Sequence, residues 1–319
     1  MTQSIQGIKI VPHTFQIDSV LQLQKLNPIA LLQRIFPSQK TMKDTSTDGI
    51  QLQDLNELPA TAFGVCEAVR RDDLTTLQSL VAQKAPLNKA NSNGAYPIHI
   101  AAGLESPRLL QFLLRLGVDP YLKTNNQLSA FFVASALGRD ENIKLLLKAG
   151  SQTSGFQPKS LTPLHAAAFN QHAGTMDLLL KRTGANKGAS GPGGLTVLHI
   201  VSSAGDLEGI KVLLRHRVDL YQTDDQGRSA FMHASLQGKQ EAMMLLLKNK
   251  ADIDQANNQG RTALHEALLA HNNEVACFLI DNGASLHIKD INTVTPLQLI
   301  AKPDTAKAMK DYIGLSQFL

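Results

Sequence analysis

Apolar positions between residues 63 and 313 follow a two-part pattern that returns about every 33 residues. The first part is a short run headed by Thr or Ser, as in TPLHAAA at 162–168. About ten residues later comes an amphipathic segment with a leucine cluster. Examples are IKLLLKAG (143–150), MDLLLKRTG (176–184), IKVLLRHR (210–217), AMMLLLKNK (242–250) and ACFLIDNG (276–283). The cluster predicts the core-facing stripe of a helix. A polar, turn-rich stretch such as ADIDQANNQGRT (251–262) then leads to the next Thr.

Counting from TPLHAAA gives YPIHIAA at 96–102, SAFFVAS at 129–135, TVLHIVS at 196–202, SAFMHAS at 229–235, TALHEAL at 262–268 and TPLQLIA at 295–301. The steps are 33, 33, 34, 33, 33 and 33 residues, with a divergent copy, FGVCEAV, at 63–69. Thr162, Thr196, Thr262 and Thr295, with Ser129 and Ser229, stand where a side-chain oxygen caps a helix N-terminus. Pro97, Pro163 and Pro296 follow at the first helical position, where a missing N–H costs nothing. Small Ala-Ala pairs then let neighbouring helices approach. Gly117, Gly150, Gly184 and Gly283 predict left-handed helix stops. Gly94, Gly194, Gly227 and Gly260 predict hairpin turns.

The period and the TPLH-x-A run resemble the ankyrin repeat. The resemblance implies an all-α solenoid of stacked helix-turn-helix units with hairpin fingers. Eight units start near 63, 96, 129, 162, 196, 229, 262 and 295, within an array at 59–313. Residues 1–58 form an N-terminal extension outside the repeat. DSVLQLQKLN (18–27) and NPIALLQRIF (27–36) predict two short amphipathic helices, with a polar linker at 37–58 and a tail at 314–319. The helices are expected to cover the end of unit one or to form a separate docking arm. Departures from the pattern predict irregularity. Gln127, Ser160 and Thr293 replace the finger glycine, so those turns should be looser or differently shaped. Arg217 and Lys250 replace the helix-stop glycine. Unit one lacks the cap and the histidine; the last has Gln298 for histidine and Pro303 in its first helix.

Composition narrows the chemistry. Net charge is only +4 with the signs mixed, and no basic element stands out as a nucleic-acid footprint, so no nucleic acid is expected. The longest apolar runs fall far short of the roughly 20 residues of a membrane span, and no secretory signal is recognisable, so no membrane insertion is expected. Two cysteines, Cys66 and Cys277, predict a reducing, cytoplasmic compartment. They lie six stacking steps apart, on the order of 50–60 Å, and cannot bridge.

His99, His165, His199 and His265 form a row with one member per unit. Helices stack roughly 8–10 Å apart, whereas zinc–nitrogen bonds are about 2 Å, so the row cannot converge on one ion. It reads as a structural tie between units; no metal, cofactor or catalytic group is expected. GANKGASGPGG at 184–194 suggests a phosphate loop, but a helix rather than a strand precedes it and no Gly-Lys-Ser/Thr closes it. It reads as the longest and softest finger, a hinge or a loop that orders on a partner, with the 34-residue step placed there as one inserted residue.

Protein binding remains. The resemblance implies docking on a concave side formed by first helices and finger tips. Leu104, Leu137, Phe169, Leu236 and Leu269 would make an apolar stripe there, with Asn170 and Gln237 beside them. Tyr121, Phe156 and Tyr221 on the fingers are aromatics of the type that anchors interfaces. Arg115, Lys148, Lys181, Arg215 and Lys248 recur at the ends of second helices. They either complement the helix dipoles or form a strip for an acidic partner. The expected function is that of a monomeric, non-catalytic adaptor, scaffold or binding inhibitor of one or more proteins. Two alternatives are a bacterial effector working in host cytosol, hinted by 24 Gln against 8 Glu, and a regulator that masks a transcription factor.

Overall fold

The computed structural model describes residues 59–151 and 160–301. The N-terminal helices and linker at 1–58, Phe156, Pro303 and the tail at 314–319 lie outside the described residues. Fifteen α-helices form among the described residues. The first helices of successive units are α1 (Ala62–Arg70), α3 (Pro97–Gly103), α5 (Ala130–Ala136), α7 (Pro163–Phe169), α9 (Val197–Ala204), α11 (Ala230–Leu236), α13 (Ala263–Leu269) and α15 (Pro296–Ile300). The second helices are α2 (Leu74–Ala82), α4 (Arg108–Arg115), α6 (Asp140–Lys148), α8 (Ala173–Arg182), α10 (Leu207–Arg215), α12 (Gln240–Lys248) and α14 (Asn273–Asp281). Each odd helix packs on the even helix that follows it and on the next odd helix, so the odd helices form one row from α1 to α15. The even helices form the second row, with α4 on α6, α8 on α10 and α10 on α12.

The core follows from the pattern. The odd helices are so short and so deeply placed that α3 and α5 are buried along their whole length. Ala101, Ala102, Ala134, Ala166, Ala167 and Ala168 have no exposed surface, which is what close helix approach needs. The even helices bury one stripe only, at three-residue spacing: Ile143 and Leu146, Met176 and Leu179, Ile210 and Leu213, Met243 and Leu246.

Every even helix from α4 onward, α8 excepted, ends in the same way. The residue two after its last turns left-handed, and the next amide bonds back across the turn. Val118 N–H reaches the Leu113 carbonyl at 3.1 Å, Ser151 that of Leu146 at 3.0 Å and Ala251 that of Leu246 at 3.0 Å. Arg217 (φ 53°) and Lys250 (φ 70°) adopt this conformation just as Gly117 and Gly150 do, so the helix stop is set by the surrounding fold as well as by the glycine.

The fingers correct an expectation. Among the described residues no strand forms; two isolated bridges, Lys123–Ser129 and Thr223–Ser229, are all that pairs. Each finger that lies wholly among the described residues is a tight turn closed by two backbone bonds. Thr124 N–H meets Leu128 O at 2.9 Å and Gln127 N–H meets Thr124 O at 2.8 Å; Asp290 with Val294, and Thr293 with Asp290, repeat this at 2.9 Å. Gln127 (φ 61°) and Thr293 (φ 63°) therefore hold the same turn as Gly227 (φ 77°), not a looser one. The closing bonds, not the residue type, define the shape.

Unit one also differs from expectation. Its cap is present two residues early, where Thr61 accepts from Gly64 N–H at 3.3 Å and starts a nine-residue helix.

The 34-residue step is placed differently as well. From the left-handed helix stop to the left-handed finger residue is ten residues for 117–127, 184–194, 217–227 and 250–260 alike. The finger at 184–194 is not longer than the others. The extra residue sits in the last turn of α8, which has 10 residues where α6, α10, α12 and α14 have 9. Nor does the stack break there: α7 packs on α9 and α8 on α10. Gly193 O accepts from Asp225 N–H at 3.0 Å, and Gly188 O accepts from Gln222 Nε2 at 2.9 Å, so the finger is tied to the next unit.

Candidate functional site

The histidine row is a set of staples. At each histidine of the row Nδ1 faces the backbone N–H of the capping residue: Tyr96 for His99 (3.2 Å), Thr162 for His165 (3.3 Å), Thr196 for His199 (3.0 Å) and Thr262 for His265 (3.1 Å). An amide can only donate, so Nδ1 accepts and Nε2 carries the proton. Nε2–H then donates into the following finger, to Leu122 O at 3.0 Å, Leu195 O at 3.1 Å, Arg228 O at 3.0 Å and Val294 O at 3.1 Å. Burial pulls the rings down to about 4 for His99 and His165 and about 3 for His199, and also lowers His265. They are neutral ties between units, without an open coordination site. Cys66 occupies the same slot in unit one and points its thiol at the matching carbonyl, Ala95 O, at 3.8 Å. Burial pushes that thiol up to about 12, so it is not a nucleophile at neutral pH. Cys277 is buried too. Among the described residues no group of three or more His, Cys, Asp or Glu is placed to hold a metal ion, and no helix is long and apolar enough to cross a membrane.

One polar cluster had no clear sequence signal. The Asp224 carboxylate, at the base of the finger before α11, accepts from the amides of Gln226 and Arg228, from the Arg228 guanidinium and from His233 Nε2, all at 2.9 Å. Burial alone would raise this carboxyl. The His233 bond and the Arg228 charge together hold it well below the usual carboxylate range. The His233 ring is lowered by its own burial and stands edge-on to His199 at 5.0 Å. The next unit builds the same nine-residue link from Asn257 and Glu266 (3.2 Å). These are internal supports of the fingers.

The surface candidates divide into two groups. Leu104 and Leu137 follow the ends of α3 and α5, while Phe169, Leu236 and Leu269 are the last residues of α7, α11 and α13. They share the C-terminal rim of the odd row. All five are half-buried rather than fully exposed, and Leu104, Leu137, Phe169 and Leu269 pack on the core. Asn170 is partly committed to the fold: its amide donates to Ala136 O at 2.8 Å and Ala166 O at 3.0 Å. Gln237 is half-buried on the same rim, and Ala204 fills the position in unit five, exposed.

Tyr121 and Tyr221 are the most exposed aromatics described, at 50% and 56%. Their hydroxyls donate at 3.0 Å to the carbonyls of Gly150 and Lys250, the helix-stop residues of the next units. They therefore border the ends of the even helices. There also stand Arg115, Lys148, Lys181, Arg215 and Lys248, all exposed in last turns. Lys181 is paired with Asp177 at 2.6 Å. Because α8 is one residue longer, Arg182 and not Lys181 is two residues from its helix stop, in line with Arg115 and Lys148. Counting in steps of 33 from the first helix misses this; counting back from Gly184 finds it.

Comparison with known proteins agrees with the architecture. The family model described as "Ankyrin repeats (3 copies)" matches residues 65–157, 150–224 and 198–290. The human transient receptor potential cation channel subfamily A member 1 is 29% identical over 156 residues, which are 46% of this chain and 14% of that protein. The tyrosine-protein kinase HTK16 of Hydra vulgaris is 28% identical over 148 residues (44% and 19%), and the mouse B-cell lymphoma 3 protein homolog 32% over 156 residues (46% and 34%). The chain thus matches about a third or less of the length of these relatives, which are named as a channel, a kinase and a lymphoma protein. Among solved structures, the ankyrin repeat domain of Bcl-3 superposes with a TM-score of 0.61 at 23% identity, covering 68% of this chain and 99% of that one. The human ASB11 ankyrin repeat domain gives 0.59 at 26%, covering 68% and 97%.

Proposed function

Because the chain belongs to the ankyrin-repeat family, whose repeats are protein–protein interaction modules, we propose that it is a non-catalytic adaptor, scaffold or binding inhibitor that grips a protein along the C-terminal rim of its odd helices. The supporting observation is a contrast between interior and rim. Behind the rim a Thr or Ser stands at the cap of seven of the eight odd helices, and the histidine staple returns in four units. On the rim the residues vary along the array, from Leu104 and Leu137 to Phe169 with Asn170, then Ala204, Leu236 with Gln237, and Leu269. Folding needs the constant part; a specific partner is read by the variable part, with half-buried apolar groups supplying contact area.

The test uses rim positions whose side chains make no described hydrogen bond. Affinity purification identifies a binder, and its binding to the purified chain is compared with that of the Ala204→Arg, Gln237→Arg double variant. A drop of tenfold or more with unchanged urea unfolding is expected. Full binding by this variant and by Leu137→Glu, which strikes the rim two units earlier, would overturn the assignment.

A further inference from the structure

The ends of the even helices form a second surface that the rim does not use. Arg115, Lys148, Arg182, Arg215 and Lys248 each stand two residues before a left-handed helix stop, and all are exposed. No ion pair forms on any of the five among the described residues, whereas Lys144 and Lys211, a turn earlier, pair with Glu141 and Glu208, and Lys181, next to Arg182, pairs with Asp177; Arg215 is near enough to Asp177 and Glu208 to help lower both carboxyls. The stops of the last two of these units add Arg217 and Lys250, cations in a left-handed conformation that glycine would hold at less cost. Asp219 and Asp252 moderate the charge there, but the loops after Lys148 and Arg182, residues 149–159 and 183–194, contain no acid at all. Complementing a helix dipole needs a cation in the last turn only, and the dipole does not account for the cations at the stops. It also does not account for the half-exposed rings of Tyr121 and Tyr221 on the same edge.

From this juxtaposition of unpaired cations and exposed tyrosines we infer a docking edge for an extended acidic polypeptide carrying Asp or Glu at every third position. The spacing selects the occupant. Stacked helices set the cations roughly 8–10 Å apart. A polyproline II segment advances about 3.1 Å per residue with three residues per turn, so acids at i, i+3 and i+6 lie on one face about 9.3 Å apart. Aromatic rings are the usual lining of surfaces that hold such segments. A nucleic-acid strand fits worse. Its successive bases need closely spaced stacking rings, but Tyr121 and Tyr221 are three units apart, roughly 30 Å at that helix spacing. The edge is separate from the rim, so the chain could hold two segments at once.

The test uses the full chain and a fluorescent 13-residue peptide with Asp at positions 1, 4, 7, 10 and 13. A second peptide has the same composition with its five Asp contiguous. A single-stranded oligonucleotide and vesicles containing phosphatidylserine complete the set of probes. The spaced peptide is expected to bind at least tenfold more tightly than the contiguous one. Lys148→Ala, Arg182→Ala, Arg215→Ala in combination should abolish that preference while urea unfolding stays unchanged. The Ala204→Arg, Gln237→Arg rim variant should bind the spaced peptide like the parent, so failure of the rim proposal is told apart from failure of this one. Equal binding of the two peptides, tighter binding of oligonucleotide or vesicles, or no peptide binding would overturn the inference.

Discussion

Replacing His165 by glutamine separates the two jobs of a histidine staple, because the last unit already carries that exchange. There Gln298 Oε1 accepts from Thr295 N–H at 2.9 Å, as Nδ1 does elsewhere, but glutamine does not titrate. In the parent protein burial holds His165 at about 4, against about 6.5 for an unfolded chain. The folded value is the lower one, so the unfolded state binds the proton first as pH falls. The stabilisation is fully present above pH 6.5 or so, is lost between there and about pH 4, and does not change below. Linkage gives a loss of about 2 kcal/mol from His165 at pH 5 and about 3 kcal/mol once pH 4 is passed. His99, at about 4, and His199, at about 3, add losses of about the same size at pH 5. Together they would remove about 6 kcal/mol, a large part of the roughly 5–15 kcal/mol typical of a folded protein. At pH 7.5 His165→Gln should cost about 1–3 kcal/mol, for a bond to the Leu195 carbonyl weakened or lost in a buried place. On acidification its curve should be shallower by the share of one histidine. Urea unfolding followed by circular dichroism at pH 7.5, 6 and 5 should show the gap between parent and variant narrowing by about 2 kcal/mol. Parallel curves would show that the buried imidazole is not what makes the array acid-labile.

Two further outcomes follow from the fingers, both read as urea midpoints. Gly227→Ala places a Cβ 2.6 Å from the Asn258 backbone nitrogen, whose bond to Gln226 O (3.0 Å) joins two fingers, so a cost of about 2–3 kcal/mol is expected. Thr293→Gly, at φ 63° in the last described finger, should instead be neutral to stabilising by up to about 1 kcal/mol. Deleting Thr183 trims α8 to the common length of 9 and should cost no more than about 1 kcal/mol, whereas deleting Ala189 draws Gly188 and Gly193 off their partners and should cost about 3 kcal/mol or more.

The period, the caps and the buried alanines were legible because each is a local rule repeated many times, and repetition multiplies a weak preference into a strong one. The positions misjudged are those where the neighbours decide. Gln127, Arg217, Lys250 and Thr293 look like defects by residue type, yet each keeps φ between 53° and 70° because closing bonds around it hold the turn. Thr61 was hidden by counting from the histidine slot, since α1 begins two residues early. The inserted residue was drawn to the glycines of 184–194, although the interval from Gly150 to Gly184 already contains it. The Asp224–His233 contact had only a nine-residue spacing to announce it, and an Asp and a His nine apart mean nothing until a turn folds one over the other. Of the candidate surface, the cations could be placed from their register alone, but the half-burial of the rim leucines could not, because it depends on helices from the units on either side.

That division bears on how the two surfaces can be separated from the fold. Nearly every polar bond between units runs to the next one along: His165 to Leu195 O, Tyr221 to Lys250 O, Asn258 N–H to Gln226 O. Stability is then close to a sum over neighbours, and a side chain outside those bonds can change without altering the sum. Arg115, Lys148, Arg182, Arg215 and Lys248 are such side chains, exposed and without an ion pair among the described residues, so their removal should cost the fold little and report chiefly on binding. Leu137 and Phe169 are not, because they also pack on the core, and a charge placed there disturbs folding. The leucines of the rim therefore keep their apolar character for packing alone, before any partner is considered. The basic edge is under less constraint: its cations complement the helix dipoles from the last turns but make no ion pair among the described residues.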